Sequence, residues 1–133
     1  METHSLAQLL DALMERQRHL TFVLPWAQRQ VLLILDKNKA ANLSQLADMR
    51  QVRKSSMSVM LSQLIEQQLV VKGFSKSDRR QRLYLLSRHG KEILDKDMRL
   101  YLDWLDETLS ALSVNQKQSL IDALKQITNS THV

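Results

Sequence analysis

Apolar residues recur at helical spacing along most of the chain. Over residues 5–22, leucines and a methionine return every three or four positions among polar side chains, which predicts an amphipathic helix. A short helix is expected from Pro25, whose missing N–H costs little in a first helical turn, and it ends near residues 36–39. Asn42 predicts the N-cap of a third helix that ends at Met49. The pattern therefore predicts three helices over residues 5–49.

In the middle of the chain the periodicity changes from helix to strand. A fourth helix is predicted over residues 53–68, where Met57, Leu61 and their apolar neighbours leave the outer face to small polar and basic side chains. Residues 69–71 and 83–86 are β-prone runs on either side of a polar, charged stretch. This arrangement predicts a β-hairpin with a basic tip.

Two further helices complete the pattern. Ser87, with Gly90 at the N3 position, is expected to begin a long helix that carries several leucines. Ser113 is expected to cap a last helix. The sequence therefore predicts a mainly α fold with a small β-hairpin wing.

The first and last helices carry more leucine than one small domain can cover, because the elements between them are short. Pairing these helices across a two-fold axis would bury the excess, so we expect a homodimer. The alternative is that the first and last helices pack on each other within one chain.

Length and rare residues narrow the class of protein. The 133 residues fit one domain, and the absence of Cys excludes disulfides, thiolate metal sites and Cys nucleophiles. The four histidines are scattered, at positions 4, 19, 89 and 132. They lack metal-ligand spacing, so we expect no metal, no cofactor and no enzymatic activity. A zinc site that uses His89 and Glu92 is the alternative.

Neither end of the chain predicts export or membrane insertion. The N-terminus lacks the basic start and apolar core of a signal peptide, and no stretch approaches the roughly 18 apolar residues of a membrane span. We therefore expect a cytoplasmic, nucleoid-associated protein.

Positive charge is concentrated in the middle of the chain. From Arg50 to Lys91 there are ten Lys or Arg against Glu66 and Asp78, a local charge of +8. The whole chain carries +5, so the remaining residues carry −3. A basic centre between mildly acidic ends is typical of a polyanion-binding module.

Motifs in this basic centre resemble the MarR family of winged helix-turn-helix regulators. Asp78-Arg79-Arg80 and the run 83–90 are similar to the family's Asp-x-Arg wing, strand and Leu-Thr-x-x-Gly helix start, with Ser87 in place of Thr. Leu46-Ala47, and Leu64 with Leu69-Val70, are similar to its Leu-Ala and Leu-x-x-x-Gly-Leu-Val elements.

The chain departs from the family pattern at a few positions. Gln68 stands where the family usually has Gly, and Arg50 and Gln51 occupy a turn that is usually apolar and then Gly. Leu24 replaces a capping Thr. None of these changes removes an expected DNA contact.

The resemblance implies one domain over residues 1–133, with a winged helix-turn-helix at about 25–87 and N- and C-terminal dimerisation helices at about 1–23 and 88–128. It also implies a homodimer that binds double-stranded DNA at a pseudo-palindromic operator and represses transcription. A small aromatic or anionic effector that releases the DNA is a further implication. A dimeric winged-helix interaction module without operator specificity is the alternative.

The DNA-binding residues are expected on the fourth helix and on the hairpin. The first turns of a recognition helix reach base edges and phosphates. On the fourth helix these residues are Arg53, Lys54, Ser55, Ser56 and Ser58. On the hairpin they are Lys76, Arg79, Arg80 and Arg82, of which Arg80 matches the family's wing arginine. Lys72, Arg88 and Lys91, with Arg82, are expected to contact phosphates.

Asp78 and a small aromatic group near the first helix each have two possible roles. Asp78 either supports the wing by holding an arginine through a charge-assisted hydrogen bond or only forms the turn. His19, Phe22 and Trp26 lie near the junction of the dimer helices and the DNA-binding part. They either line an effector pocket or pack in the core.

Overall fold

The fold is mainly helical, as predicted. The computed structural model describes residues 2–130; position 132, one of the scattered histidines, and both ends of the predicted domain lie outside that range. In the described residues the order of elements is α1 Thr3–Gln17, α2 Trp26–Asn38, α3 Leu43–Arg50, α4 Lys54–Glu66, β1 Val70–Phe74, β2 Arg82–Leu86, α5 Arg88–Leu109 and α6 Val114–Ser130. The predicted small β-hairpin wing is therefore confirmed.

Local capping rules place three of the helix starts. Asn42 forms a capping box with Gln45 at the start of α3, with both N–H···O distances at 2.8 Å. The hydroxyl oxygen of Ser87 accepts from the Gly90 N–H at the start of α5 (2.9 Å). Ser113 accepts from the Gln116 N–H before α6 (3.2 Å). All three predicted caps are confirmed.

One hydrophobic core joins α2, α3 and α4 to the hairpin and the first half of α5. Its fully buried side chains are apolar and come from every one of these elements: Val31, Leu32, Leu35, Leu46, Met57, Leu61, Leu64, Val70 and Leu94. The recognition helix and the wing are thus held on a single packed unit.

The wing is an antiparallel hairpin anchored on the helix-turn-helix. Val70 pairs with Leu86, and Phe74 pairs with Arg82. Ala41, just before α3, exchanges both backbone hydrogen bonds with Tyr84 (2.8 and 3.2 Å). The hairpin is therefore hydrogen-bonded to the segment that leads into α3.

Gly90 allows α5 to begin against the base of the wing. A Cβ at this position would collide with the carbonyl oxygen of Leu69. That oxygen also accepts from the Ser87 N–H (3.0 Å), and the Ser87 hydroxyl donates to the Gln68 carbonyl (2.7 Å). The start of α5 is tied to the end of the helix-turn-helix by the backbone itself.

Two helix ends differ from the prediction. α1 ends at Gln17 and not at residue 22, and further along this segment the Val23 and Leu24 N–H groups donate to the carboxylate of Asp97 on α5 (2.8 and 2.9 Å). α4 ends at Glu66 and not at 68, because Gln68 has φ 64° and leaves the helical region.

The terminal helices remain outside the core. No described residue of α1 is buried, and every described side chain of α6 is exposed. Their exposed large apolar residues are Leu6, Leu9, Leu10, Leu13 and Met14 on α1 and Val114, Leu120, Ile121, Leu124 and Ile127 on α6. The alternative of mutual packing within one chain is therefore not what the structure shows. None of the described helices combines the length and apolarity that a membrane span requires.

Candidate nucleic-acid interface and the neighbouring pocket

α4 presents its polar face outward. Met57, Leu61 and Leu64 face the core and are buried. The predicted contact residues are all exposed: Arg53, Lys54, Ser55, Ser56 and Ser58. Because Arg53 is the N-cap and the others occupy the first two turns, the structure brings all five together at one end of the helix.

The turn between α3 and α4 is tight. Gln51 adopts the left-handed conformation (φ 53°), and its N–H donates to the Ala47 and Asp48 carbonyls. The Val52 N–H donates to the Ala47 carbonyl (3.0 Å). This position is one of those where the sequence departs from the family glycine, and the chain keeps the glycine-like backbone there.

The wing carries its basic side chains on the exposed tip. These are Lys76, Arg79, Arg80 and Arg82. Asp78 shapes this tip, because its Oδ1 accepts from the Arg80 N–H (2.9 Å) and its carbonyl oxygen accepts from the Gln81 N–H (3.0 Å). Asp78 thus contacts the backbone of Arg80, and within residues 2–130 no ion pair joins its carboxylate to an arginine side chain.

The four residues expected to contact phosphates differ in whether their side chains already form ion pairs within the chain. Lys72 and Arg82 are exposed on the hairpin. Lys91 instead bridges Asp36 on α2 (3.0 Å) and Asp95 on α5 (3.1 Å). The hydrogen bond to Asp36, followed by that to Asp95, raises the pKa of Lys91 above the ordinary value of a lysine.

Arg88 lies 3.9 Å from Glu92, one helical turn further along α5. Both side chains are exposed. The zinc site considered at His89 and Glu92 gains no further ligand, since within residues 2–130 no three His, Asp or Glu side chains cluster in a way that could hold a metal ion.

A pocket lies beside the start of α2, between α1 and α5. One cavity of about 330 Å³ is lined by residues of all three helices: Gln17, Trp26, Arg29, Gln30, Leu33, Met98 and Tyr101. An adjoining cavity of about 230 Å³ shares Gln17, Trp26 and Arg29 and adds Phe22. The structure brings Phe22 and Trp26 together here, whereas His19 is exposed and lines neither cavity.

Arg29 dominates the chemistry of this pocket. Its side chain is 4% exposed, and its guanidinium carbon lies 4.2 Å from the Phe22 ring centroid and 5.4 Å from that of Tyr101. Its Nη1 is buried without a hydrogen-bond partner among the described residues. A buried cationic donor beside two aromatic rings is a site that an anion or a polar acceptor would stabilise.

Sequence reasoning missed Arg29, Tyr101 and Asp97. Arg29 follows Gln28 in a short apolar helix, and Tyr101 stands between Leu100 and Leu102, where an aromatic ring is more typical of packing than of a site. Asp97 carried a signal, because it sits between Leu94 and Met98 on the apolar stripe of α5, where an acidic residue needs a buried partner.

The fold and this surface define a class of protein. A winged helix-turn-helix with exposed basic residues at the start of its second helix and on its hairpin is a DNA-binding regulator. The sequence model of the MarR family matches residues 24–81, from just before α2 to the wing. This segment is therefore similar to the MarR family of transcription regulators, as its motifs indicated.

Solved structures share this fold at low sequence identity. YusO from Bacillus subtilis has a TM-score of 0.71 and 20% identity, over 97% of this chain and 93% of that one. A MarR-like regulator from Thermotoga maritima has a TM-score of 0.74 and 16% identity, over 98% and 96%. A mutant of MarR from E. coli, solved with operator DNA, has a TM-score of 0.65 and 22% identity, over 79% and 76%. Among curated proteins no sequence matches.

Proposed function

We propose that this chain is a homodimeric repressor that binds a pseudo-palindromic operator in duplex DNA and is released by a small aromatic anion. The observation that carries the DNA part is the joint exposure of the basic start of α4 and the basic wing tip on one packed unit. The structure of E. coli MarR with operator DNA supports the same use of this fold.

The two basic elements suit different grooves. The first turns of α4 carry Arg53 and Lys54 among serines, which are small enough to enter the major groove and can bond base edges or phosphates. The wing tip, with Arg80 held by the Asp78 turn, fits the narrow minor groove, where A·T-rich sequence concentrates negative potential. Asp78 supports the wing by fixing the backbone of Arg80.

The exposed leucines of α1 and α6 support dimerisation. In one chain Leu9 is 67% exposed and Leu124 is 51% exposed, and no core residue covers them. A second copy related by a two-fold axis would cover both helices with one self-complementary surface. Two reading heads would then meet two half-sites of the operator.

The pocket at Arg29 supports control by an aromatic anion. A carboxylate would give the buried Nη1 its missing acceptor, and an aromatic ring would pack beside Phe22 and Tyr101. The pocket joins α2, which packs in the DNA-binding unit, to α5, which runs toward the terminal helices. A ligand that changes the distance between these helices would change the spacing of the two reading heads.

The DNA proposal is tested by titrating the protein against the DNA that flanks its own gene, at two salt concentrations and with unrelated competitor duplex. We expect a competitor-resistant complex of two chains per site that weakens steeply as salt rises. Arg80→Ala should weaken it by about 1–3 kcal/mol without dissociating the dimer, whereas Arg99→Ala, an exposed arginine on α5, should change little. Unchanged affinity of Arg80→Ala would contradict the wing assignment.

The same titration addresses the interaction-module alternative. Salt-insensitive binding of a protein partner, combined with no preference over competitor DNA, would favour that reading. That result would contradict the proposed binding of an operator.

The effector proposal is tested with benzoate and the neutral benzyl alcohol as probes. We expect benzoate, but not the alcohol, to weaken operator binding by roughly tenfold, the usual scale of coupling between two sites. Arg29→Met should abolish this response, whereas Arg18→Met, an exposed arginine that lines the adjoining cavity, should keep it. Equal benzoate responses in the two variants would contradict the role of Arg29.

A further inference from the structure

The outward face of α4 has one apolar residue at its centre. Val59 is 60% exposed, although the same helix buries Met57, Leu61 and Leu64 on its other side. At about 100° per residue, Val59 lies roughly 200° around the helix from Leu61 and therefore points almost directly away from the core.

Small and polar residues surround Val59 on this face. One turn before it stand Ser55 and Ser56, and one turn after it stand Ser62 and Gln63, all exposed. The serines are shorter than valine, so the isopropyl group of Val59 stands above its neighbours. Because valine is branched at Cβ, its rotamer in a helix is nearly fixed, and the group is a rigid apolar projection.

Nothing inside the chain accounts for this side chain. Val59 is absent from the core and from the partly buried residues packed against it. It also belongs neither to the exposed leucines of α1 and α6 nor to the pocket at Arg29. A single exposed valine on an arbitrary surface is unremarkable, but this one lies at the middle of the face that the proposed function inserts into the major groove.

The major groove offers one apolar group among the four bases. It is the 5-methyl group of thymine, whereas adenine and guanine present hydrogen-bonding groups there and cytosine has a hydrogen in place of the methyl group. Valine makes no hydrogen bond, so it can discriminate bases only by contact with that methyl group. Polar groups opposite Val59 would instead lose water without gaining a partner.

We propose that Val59 reads the 5-methyl group of a thymine, so that each operator half-site has a T·A pair at the position facing the second turn of α4. This inference rests on the proposed function, because it requires α4 to enter the major groove of a specific site. It assigns Val59 as a specificity residue beside the basic and hydroxyl contacts of Arg53, Lys54 and the serines.

The test begins with selection of binding sequences by the wild-type protein from a random duplex library. In the selected duplex each thymine is then replaced, in both half-sites at once, by deoxyuridine, which lacks only the methyl group. One buried methyl group corresponds to about a fourfold change in affinity, so loss of two should weaken wild-type binding on the order of tenfold at one symmetric position.

Two variants make the test specific. Val59→Ala should bind the thymine and deoxyuridine duplexes equally well at that position, and it should fold normally because the site is exposed. Val114→Ala removes the same two methyl groups at a position 81% exposed at the start of α6. This control should keep the full penalty for deoxyuridine.

Each outcome is decisive. A deoxyuridine penalty that disappears in Val59→Ala and persists in Val114→Ala supports the inference. A selected duplex in which no deoxyuridine penalty depends on Val59 overturns the inference and leaves the proposed function standing. Failure of the wild-type protein to select any sequence overturns both.

Discussion

The packed unit of residues 24–98 and the terminal helices are built from similar sequence patterns but use them differently. Leu32 in α2 and Leu9 in α1 both belong to helical stripes of apolar residues, yet Leu32 is fully buried and Leu9 is 67% exposed. α5 belongs to both regions, since Leu94 near its start is buried and Leu102 near its end is 51% exposed.

This difference shows what an apolar stripe can and cannot indicate. An apolar stripe indicates that a helix face packs against another apolar surface. It does not indicate whether that surface belongs to the same chain or to a second one. The apolar faces of the winged-helix unit are buried within the chain, whereas those of the terminal helices are exposed in one chain. Matched substitutions in the two regions test whether their apolar faces are buried in different ways.

The largest effect is expected from Leu32→Ala. A buried leucine replaced by alanine costs about 2–5 kcal/mol of unfolding free energy, because apolar contact is lost and a cavity remains. The loss should be the same at every protein concentration, because the site lies within one chain. Urea unfolding at several protein concentrations measures it.

The matched variant is Leu9→Ala. Its loss of stability should appear only at concentrations where the dimer forms, because the same leucine is uncovered in the monomer. A concentration-independent loss in Leu9→Ala, equal to that of Leu32→Ala, would mean that α1 is covered within the chain.

A charged residue on the apolar face of a terminal helix should weaken dimerisation more than an alanine does. Leu9→Lys occurs twice across a two-fold interface, so the dimer dissociation constant should rise on the order of a hundredfold or more. Sedimentation velocity over a dilution series measures this change. Met49→Lys, 54% exposed at the end of α3, is the control and should leave the dimer intact. Dissociation caused by Met49→Lys alone would place the interface elsewhere.

The carboxylate of Asp97 is the strongest polar link between α5 and the segment that precedes α2. Asp97→Asn replaces one acceptor by an NH₂ group that faces a buried N–H, so we expect a loss of about 2–3 kcal/mol of unfolding free energy. Asp95→Asn, exposed on the same helix, should cost less than about 1 kcal/mol, because it weakens only an exposed ion pair with Lys91. Urea midpoints that fall equally in both variants would contradict the structural role of Asp97.

The sequence predicted those features that depend on local rules. Asn42, Ser87 and Ser113 each cap a helix because a short side chain reaches an N–H group two or three residues ahead, and this requires no knowledge of the rest of the fold. The apolar face of α4 and the basic wing follow from periodicity and charge in the same way. The same patterns predicted the order of the elements, and the family motifs then identified that order as a winged helix-turn-helix.

Features that depend on contacts between distant parts of the chain were not predictable in this way. Asp97 accepts hydrogen bonds from N–H groups more than 70 residues earlier, in the segment between α1 and α2. Arg29 is buried only because Phe22 and Tyr101, from different elements, converge on it. The spacing of residues along the sequence indicates neither the hydrogen bonds of Asp97 nor the burial of Arg29.

The smallest effect is expected where the packed unit retains strain. Gln68 has φ 64°, a region that costs a residue with a Cβ about 1–2 kcal/mol and costs glycine almost nothing. Gln68→Gly should therefore raise the unfolding free energy by about 0.5–1 kcal/mol after the extra entropy of an unfolded glycine is subtracted.

The neighbouring glutamine is the control for this substitution. Gln67 has φ −77° at the end of α4, so Gln67→Gly relieves no strain and should lower the unfolding free energy by about 0.5–1 kcal/mol. The two variants should move the urea midpoint in opposite directions at every protein concentration, because both positions lie within one chain. A shift in the same direction would show that the surroundings of Gln68, including the hydrogen bond from Ser87 to its carbonyl, outweigh its backbone strain. Opposite shifts that leave the dimer dissociation constant unchanged would confirm that the packed unit and the terminal helices are stabilised independently.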